Sequence, residues 1–182
     1  MKKGLLVTTL FAASALLLAS CEKTISFEEA KKHCDDNFTN TESKLFDVHT
    51  VTKVTKSEGV FESMYKVGEK TDDESGKFDV ITSGYVDAIG DKATYKVDGK
   101  KLSVEYSLGV KEFLAEQGVE LGEGDEASGS IFAKSSTDEE GYPASQYEKI
   151  DELHFKATLY GVSVEGTLSL EMTVTYTARP AN

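Results

Sequence analysis

The chain is poor in the residues that would stabilise it covalently or stiffen it. It has no tryptophan, two cysteines and two prolines among 182 residues. Two cysteines do not make a disulfide framework, so the fold must be held together by its own core. Nine phenylalanines and eight tyrosines supply the aromatic volume for that core. The prolines, Pro143 and Pro180, interrupt none of the long alternating segments described below.

Basic residues are also scarce. Lysine and arginine total 20 against 32 aspartates and glutamates, which gives a formal net charge of −12. A surface this acidic repels nucleic acid and anionic head groups, so we expect no nucleic-acid partner. The usual meaning of such charge is solubility, and the alternative is attraction of cations or basic partners.

Motifs that carry catalysis or hold metals are missing. There is no G-x-S-x-G elbow, no P-loop and no dinucleotide fingerprint. Ser63 and Lys66 have S-x-x-K spacing, but within a predicted strand they point to opposite faces. The three histidines lack metal-ligand spacing, and the acidic runs at 72–74 and 138–140 do not match an EF-hand loop. We therefore expect no enzyme, no metal and no cofactor.

The first 21 residues contain the most specific motif of the chain. Two lysines precede an apolar run at residues 5–18, and Leu18-Ala19-Ser20-Cys21 closes it. A run of about 14 residues has the length of a secretory h-region and is shorter than the roughly 20 residues that span a bilayer. The segment resembles a bacterial lipoprotein signal peptide, in which the three residues before the cysteine form the lipobox.

This resemblance implies cleavage before Cys21, acylation of its thiol, export, and anchoring to the cell membrane or outer membrane. Glu22, in place of aspartate, favours the outer membrane in a Gram-negative source. The alternatives are an ordinary signal peptide and an N-terminal membrane anchor. The implied organisation is a signal peptide at 1–20, a short tether at 21–25 and one domain at 26–182. The mature chain has 162 residues and a net charge of −14, because the removed segment contains two lysines and no acid.

A helix is predicted directly after the tether. Ser26 and Glu29 have the spacing of a capping box. Phe27, Ala30, Cys34 and Phe38 then fall within one arc at helical spacing, so that arc faces the core. Cys34 lies on this apolar arc, which indicates a buried structural thiol.

The rest of the chain alternates between apolar and polar residues like β-structure. Asp98-Gly99 between two alternating runs indicates a tight hairpin, and Val110, Phe113 and Leu114 share one face of a second short helix. The other predicted strands cover about 46–54, 60–67, 78–86, 131–134, 145–159 and 164–176. The predicted connections include an acidic turn at 71–76 and a glycine-rich loop at 120–130.

These elements predict an α+β, mostly antiparallel β domain. Its sheet would be a curved, half-barrel-like meander of eight or nine strands packed on two short helices. The order of elements resembles the half-barrel of bacterial lipoprotein carrier domains. A lipocalin-like closed barrel or a compact β-sandwich would give similar alternation.

Two functions follow as hypotheses. In the first, an anchored domain binds a lipid or other apolar ligand close to the membrane; in the second, it is a surface interaction or structural lipoprotein with no small ligand. The partners would be the lipid bilayer, through acylated Cys21, and an apolar ligand or an envelope protein. The inward-facing candidates for ligand binding, which would equally make an ordinary core, are Phe78, Val80, Leu168, Leu170 and Met172.

Overall fold

The computed structural model describes residues 22–116, 120–159 and 162–180. The predicted signal peptide and Cys21 lie outside these residues. Strands make up 59% of the structure, which contains one open, curved sheet of eight strands and three short helices. The prediction of a mostly antiparallel β domain with a curved sheet is therefore confirmed.

The strands are long and the helices are short. The helices are α1 (Phe27–Asn37), α2 (Ser83–Ile89) and α3 (Val110–Glu116). The strands are β1 (Lys23–Ile25), β2 (Lys44–Gly59), β3 (Gly68–Phe78), β4 (Thr94–Asp98), β5 (Lys101–Gly109), β6 (Glu126–Thr137), β7 (Pro143–Leu159) and β8 (Val162–Ala178).

The sheet has the order β1-β4-β5-β6-β7-β8-β2-β3, and every neighbouring pair is antiparallel. The register defines two ends. The upper end contains Lys23, the turn between β4 and β5, and the last residue of β8. The lower end contains the connection between β2 and β3, helix α3, and the first residue of β8.

Strand β8 shows why the sheet has one apolar face. Leu168, Leu170 and Val174, at even positions, are buried, whereas Glu165, Thr173 and Thr175, at odd positions, are exposed. Alternation with a period of two places the first set on one face and the second set on the other. We call the face that contains Leu168 the inner face, and helices α1 and α2 pack on this face at the upper end.

The larger core lies at the upper end, under α1 and α2. Helix α1 begins at the predicted capping box, in which the Ser26 hydroxyl accepts from the Glu29 amide while the Glu29 carboxylate accepts from the Ser26 amide. The helix thereby presents its apolar side to the inner face of β4 and β5. The buried residues of this upper core are Ala30, Cys34, Phe38, Val86, Tyr95, Leu102 and Val104.

A smaller core lies at the lower end. Val54 of β2 and Leu168 and Leu170 of β8 are buried there, with Phe61 and three other apolar residues packed against them. Strand β7 carries a bulge beside this core: the register with β8 shifts between Ile150 and Leu153, and Glu152 has a positive φ of 49°. The bulge adds a residue to one strand and bends it.

Three local predictions between residues 60 and 86 were wrong. Residues 60–67 form turns, because Gly59 takes a φ of 64° and the Tyr65 amide donates to the carbonyl of Phe61. Residues 71–76 belong to strand β3, not to a turn. This strand is an edge of the sheet, where charged side chains are solvated and discourage pairing with other chains.

The third error concerns residues 78–86. The strand ends at Phe78, and helix α2 follows from Ser83 until Gly90 ends it with a φ of 86°. Two helices were expected, and the described residues contain three. Residues 23–25, which belong to the predicted tether, form strand β1 against β4, and the predicted loop at 120–130 ends where β6 begins at Glu126.

Candidate ligand-binding groove

An apolar groove lies on the inner face at the lower end of the sheet. It lies between α3 on one side and the start of the β2–β3 connection on the other, and its volume is about 610 Å³. Small-molecule sites typically measure about 300–1,000 Å³ and are lined mainly by apolar side chains. The groove has both properties.

Strands β6, β7 and β8 form the floor of the groove. Five apolar side chains line it, and all of them are half-buried, so they present apolar surface to whatever fills the groove: Ile131, Ile150, Leu153, Phe155 and Val164. Ile150 and Leu153 also pack against the lower core, which supports the floor from the side of β8 and β2. The floor is therefore held by the same strands that build the core.

Helix α3 forms the first wall. Val110 is fully buried and anchors the helix immediately after β5, and Leu114 lies one turn later on the same face. Phe113 lines the groove although 36% of its surface is exposed. A second, smaller cavity of about 210 Å³ lies between α2 and α3, and Phe113 and Tyr106 line both cavities.

Val60 and Phe61 form the opposite wall. The Val60 amide donates to the carbonyl of Glu165, which ties the connection to β8. Gly166 allows this close approach, because a Cβ added there would lie 2.7 Å from Cδ2 of Phe61 and 2.8 Å from the Glu58 carbonyl oxygen. Any larger residue at this position would push the wall outward.

One carboxylate lies at the upper edge of the groove. Among the described residues that line it, Glu148 is the only carboxylate and none is cationic; its Oε1 accepts a hydrogen bond of 2.6 Å from Nε2 of Gln146. The Tyr176 hydroxyl lies 3.4 Å from Oε1 of Gln146 and continues this polar chain. No cationic group among the described residues lies within ion-pair distance of Glu148.

Tyrosines surround this carboxylate. Burial raises the pKa of Tyr106, and the negative charge of Glu148 raises it further. Burial likewise raises the pKa of Tyr176, with smaller contributions from Tyr85 and Glu148. Both phenols therefore keep their protons at neutral pH, where the ordinary tyrosine pKa is already about 10. The edge of the groove combines a carboxylate acceptor with neutral hydroxyl groups.

The five residues predicted from the sequence do not form one site. Leu168 and Leu170 belong to the lower core, and Met172 packs against it, so these three lie beside the groove without lining it. Phe78 packs edge-to-face on Tyr176, with ring centroids 5.2 Å apart. Val80 packs on the upper core and lines a separate cavity of about 310 Å³.

The described residues contain no group of three or more histidine, cysteine, aspartate or glutamate side chains that would hold a metal ion. The acidic run at 72–74 lies along the edge strand, whereas the one at 138–140 forms a turn, in which the Asp138 side chain accepts from the amides of Glu140 and Tyr142. Within the described part of the chain, the helices are too short or too polar to span a bilayer.

No protein family, curated protein or solved structure matches this chain.

Proposed function

We propose that this protein is a membrane-anchored bacterial lipoprotein that binds a lipid or other apolar ligand in the groove. The observation that carries the proposal is the groove itself, which has ligand-sized volume, an apolar lining and one polar edge. A filled core would bury these side chains completely, whereas the floor residues remain half-buried. Burying such surface under an apolar ligand contributes about 25 cal/mol per Å².

Ligand binding is tested with residues 22–182, which include every strand of the sheet. The neutral dye N-phenyl-1-naphthylamine should fluoresce on binding to the groove. The variant Leu114→Glu should reduce this signal at least about tenfold, since it places a charge on the apolar wall. The matched control, Leu45→Glu, changes an exposed leucine outside the groove and should leave the signal intact. Absence of binding in the unaltered protein would reject the proposal.

The anchoring part of the proposal rests on the resemblance of residues 1–21 to a lipoprotein signal peptide. Acylated Cys21 would hold the domain in the bilayer, because each buried methylene contributes about 0.8 kcal/mol and two or more chains give stable attachment. Cells expressing the full chain should incorporate labelled palmitate, and Cys21→Ser should abolish the label. The serine variant should also leave the membrane fraction. Membrane retention without any label would contradict lipidation.

A second candidate is an interaction lipoprotein without a small ligand. Its specific support is the β2–β3 connection, on which the side chains of Met64 and Val67 are 65% and 64% exposed. Contiguous exposed apolar side chains are typical of contact surfaces. Crosslinking in whole cells from position 64 would recover one envelope protein if this candidate is correct.

A further inference from the structure

The charge at the upper edge of the groove restricts which ligand it accepts. Glu148 lines the groove without a cationic partner among the described residues. This carboxylate is half-buried, and a ligand that fills the groove displaces water from it, which is costly unless a charge or several hydrogen bonds compensate the loss. Gln146 supplies one hydrogen bond. A ligand with a positively charged, hydrogen-bond-donating head would supply the missing compensation.

The neighbouring inner face carries more negative than positive charge. The register places Asp72 and Glu74 of β3 on the inner face, opposite Thr50 and Val48 of β2. Lys70 shares this face, but its ammonium group is paired with Asp72 at 2.7 Å. An anionic head group would therefore meet unfavourable charge along the open face beside the groove.

The aromatic lining favours the same kind of head group. Tyr106 lines the groove at the same edge as Glu148 and lies two strands away from it across β6. Tyrosine rings attract ammonium groups placed over their faces. Acid and ring together form a site that suits a cation better than a carboxylate or a phosphate.

We propose that the groove binds a single-chain amphiphile with a cationic, amine-type head, and that Glu148 is the residue that selects the head group. The alkyl chain lies along the floor formed by Ile131, Ile150 and Phe155, and the ammonium group donates to the Glu148 carboxylate. This inference rests on the proposed function, which it deepens by naming the ligand class.

The test uses three twelve-carbon probes that differ only in their heads: dodecylammonium, dodecanol and dodecanoate. Each displaces N-phenyl-1-naphthylamine from residues 22–182 below its micelle concentration. We expect dodecylammonium to bind most tightly and dodecanoate most weakly. Glu148→Gln should lower the affinity for dodecylammonium about tenfold, the equivalent of one 1.4 kcal/mol step, while dodecanol is unaffected.

A matched variant separates the groove from the general acidity of the chain. Glu171→Gln also removes one negative charge, but from the outer face of β8. Glu171 lies next to Met172, which is the β8 residue that pairs with Glu148. It should leave all three affinities unchanged, and the preference should persist in 0.5 M salt because partly buried pairs are screened less.

The outcomes separate this inference from the function on which it rests. Dye binding with equal affinity for the three probes would overturn the inference and leave the proposed function standing. A preference that Glu148→Gln does not reduce, or that Glu171→Gln reduces equally, would also overturn it. Because bound dye reports an intact groove, a variant that loses the preference while retaining the dye has not simply unfolded.

Discussion

At the scale of single residues, Cys34 shows how burial controls chemistry. Its side chain is 1% exposed within the upper core, packed among the apolar residues of α1 and the sheet. Burial raises the pKa of the thiol to about 11, with a smaller contribution from the negative charge of Asp35. Since the thiolate is the nucleophile, this cysteine is both inaccessible and un-ionised near neutral pH.

We therefore predict that Cys34 reacts with Ellman's reagent only after unfolding. At pH 8 about one thiol in a thousand is ionised in the folded protein, against about a quarter in an unfolded chain. Labelling of residues 22–182 should be negligible in buffer and should rise along the urea unfolding transition. Cys34→Ala supplies the blank. Native labelling at the unfolded rate would show that the thiol is exposed.

At the scale of elements, an ion-pair ladder joins three strands on the outer face. The Glu105 carboxylate on β5 lies 2.8 Å from Nζ of Lys134 on β6 and 2.9 Å from Nζ of Lys96 on β4. The hydrogen bond from Lys134, followed by that from Lys96, holds the pKa of Glu105 below its usual range. The ladder thus stabilises the sheet only while Glu105 is ionised.

This depressed pKa predicts how stability depends on pH. A carboxyl with a lowered folded pKa contributes its full stabilisation above the ordinary value of about 4.3 and loses it as pH falls through the folded pKa. Glu105→Gln should lower the free energy of unfolding by roughly 1 kcal/mol at pH 7, the upper part of the range for such pairs. The deficit should shrink towards zero below the folded pKa of Glu105.

Urea unfolding at pH 7 and at pH 3 measures this difference. The control is Glu69→Gln, which removes one charge from an exposed position on the edge strand β3. We expect the control to change stability by only a few tenths of a kcal/mol at either pH. An equal effect of both substitutions at pH 7 would mean that net charge, and not the ladder, governs the response.

Elements with a long, unbroken period were predictable from the sequence. The capping box and apolar arc predicted α1, the Asp98-Gly99 pair predicted the β4–β5 hairpin, and the alternation near the C-terminus predicted β8. Residues 60–86 were misassigned because short apolar alternation suits a strand, a turn and a helix almost equally. Tertiary contacts decide among these structures, and the local pattern does not contain them.

The groove was harder to predict than the fold. The sequence predicted that Val110 and Leu114 share one face of a helix. The position of this face opposite Phe61, on the other side of the groove, depends on contacts across the sheet. Glu148 was missed because a strict period of two puts it on the opposite face from Leu153. The bulge at Glu152 adds one residue and brings both side chains to the inner face. A bulge of this kind leaves no clear signal in a single sequence.

At the scale of the whole molecule, the first residue of the sheet and the groove lie at opposite ends. Strand β1 begins at Lys23, which pairs with Val97 at the upper end, so only Glu22 separates Cys21 from the sheet. Val97 pairs with Leu102 of β5. Leu108, farther along β5, pairs with the groove residue Ile131. Six residues of β5 thus separate the two levels, about 20 Å along the strands.

An anchor this short should hold the upper end against the bilayer and leave the groove facing away from it. We predict that a nitroxide at position 100, in the β4–β5 turn, collides with oxygen dissolved in the bilayer when the lipidated protein is in vesicles. A nitroxide at position 64, on the β2–β3 connection, should instead collide with a water-soluble nickel chelate. Buried Cys34 should not interfere with labelling of the introduced cysteines.

The same measurement detects the opposite orientation, in which the lower end of the sheet lies against the bilayer. Met64 and Val67 are exposed at the lower end, and apolar side chains of this kind insert readily into a membrane interface. If the label at position 64 reports the bilayer and the label at position 100 reports water, the sheet is inverted and the groove opens towards the lipid. A ligand would then enter directly from the membrane. In the predicted orientation the ligand enters from the aqueous side, because the floor at Phe155 lies still farther from the anchor than Ile131.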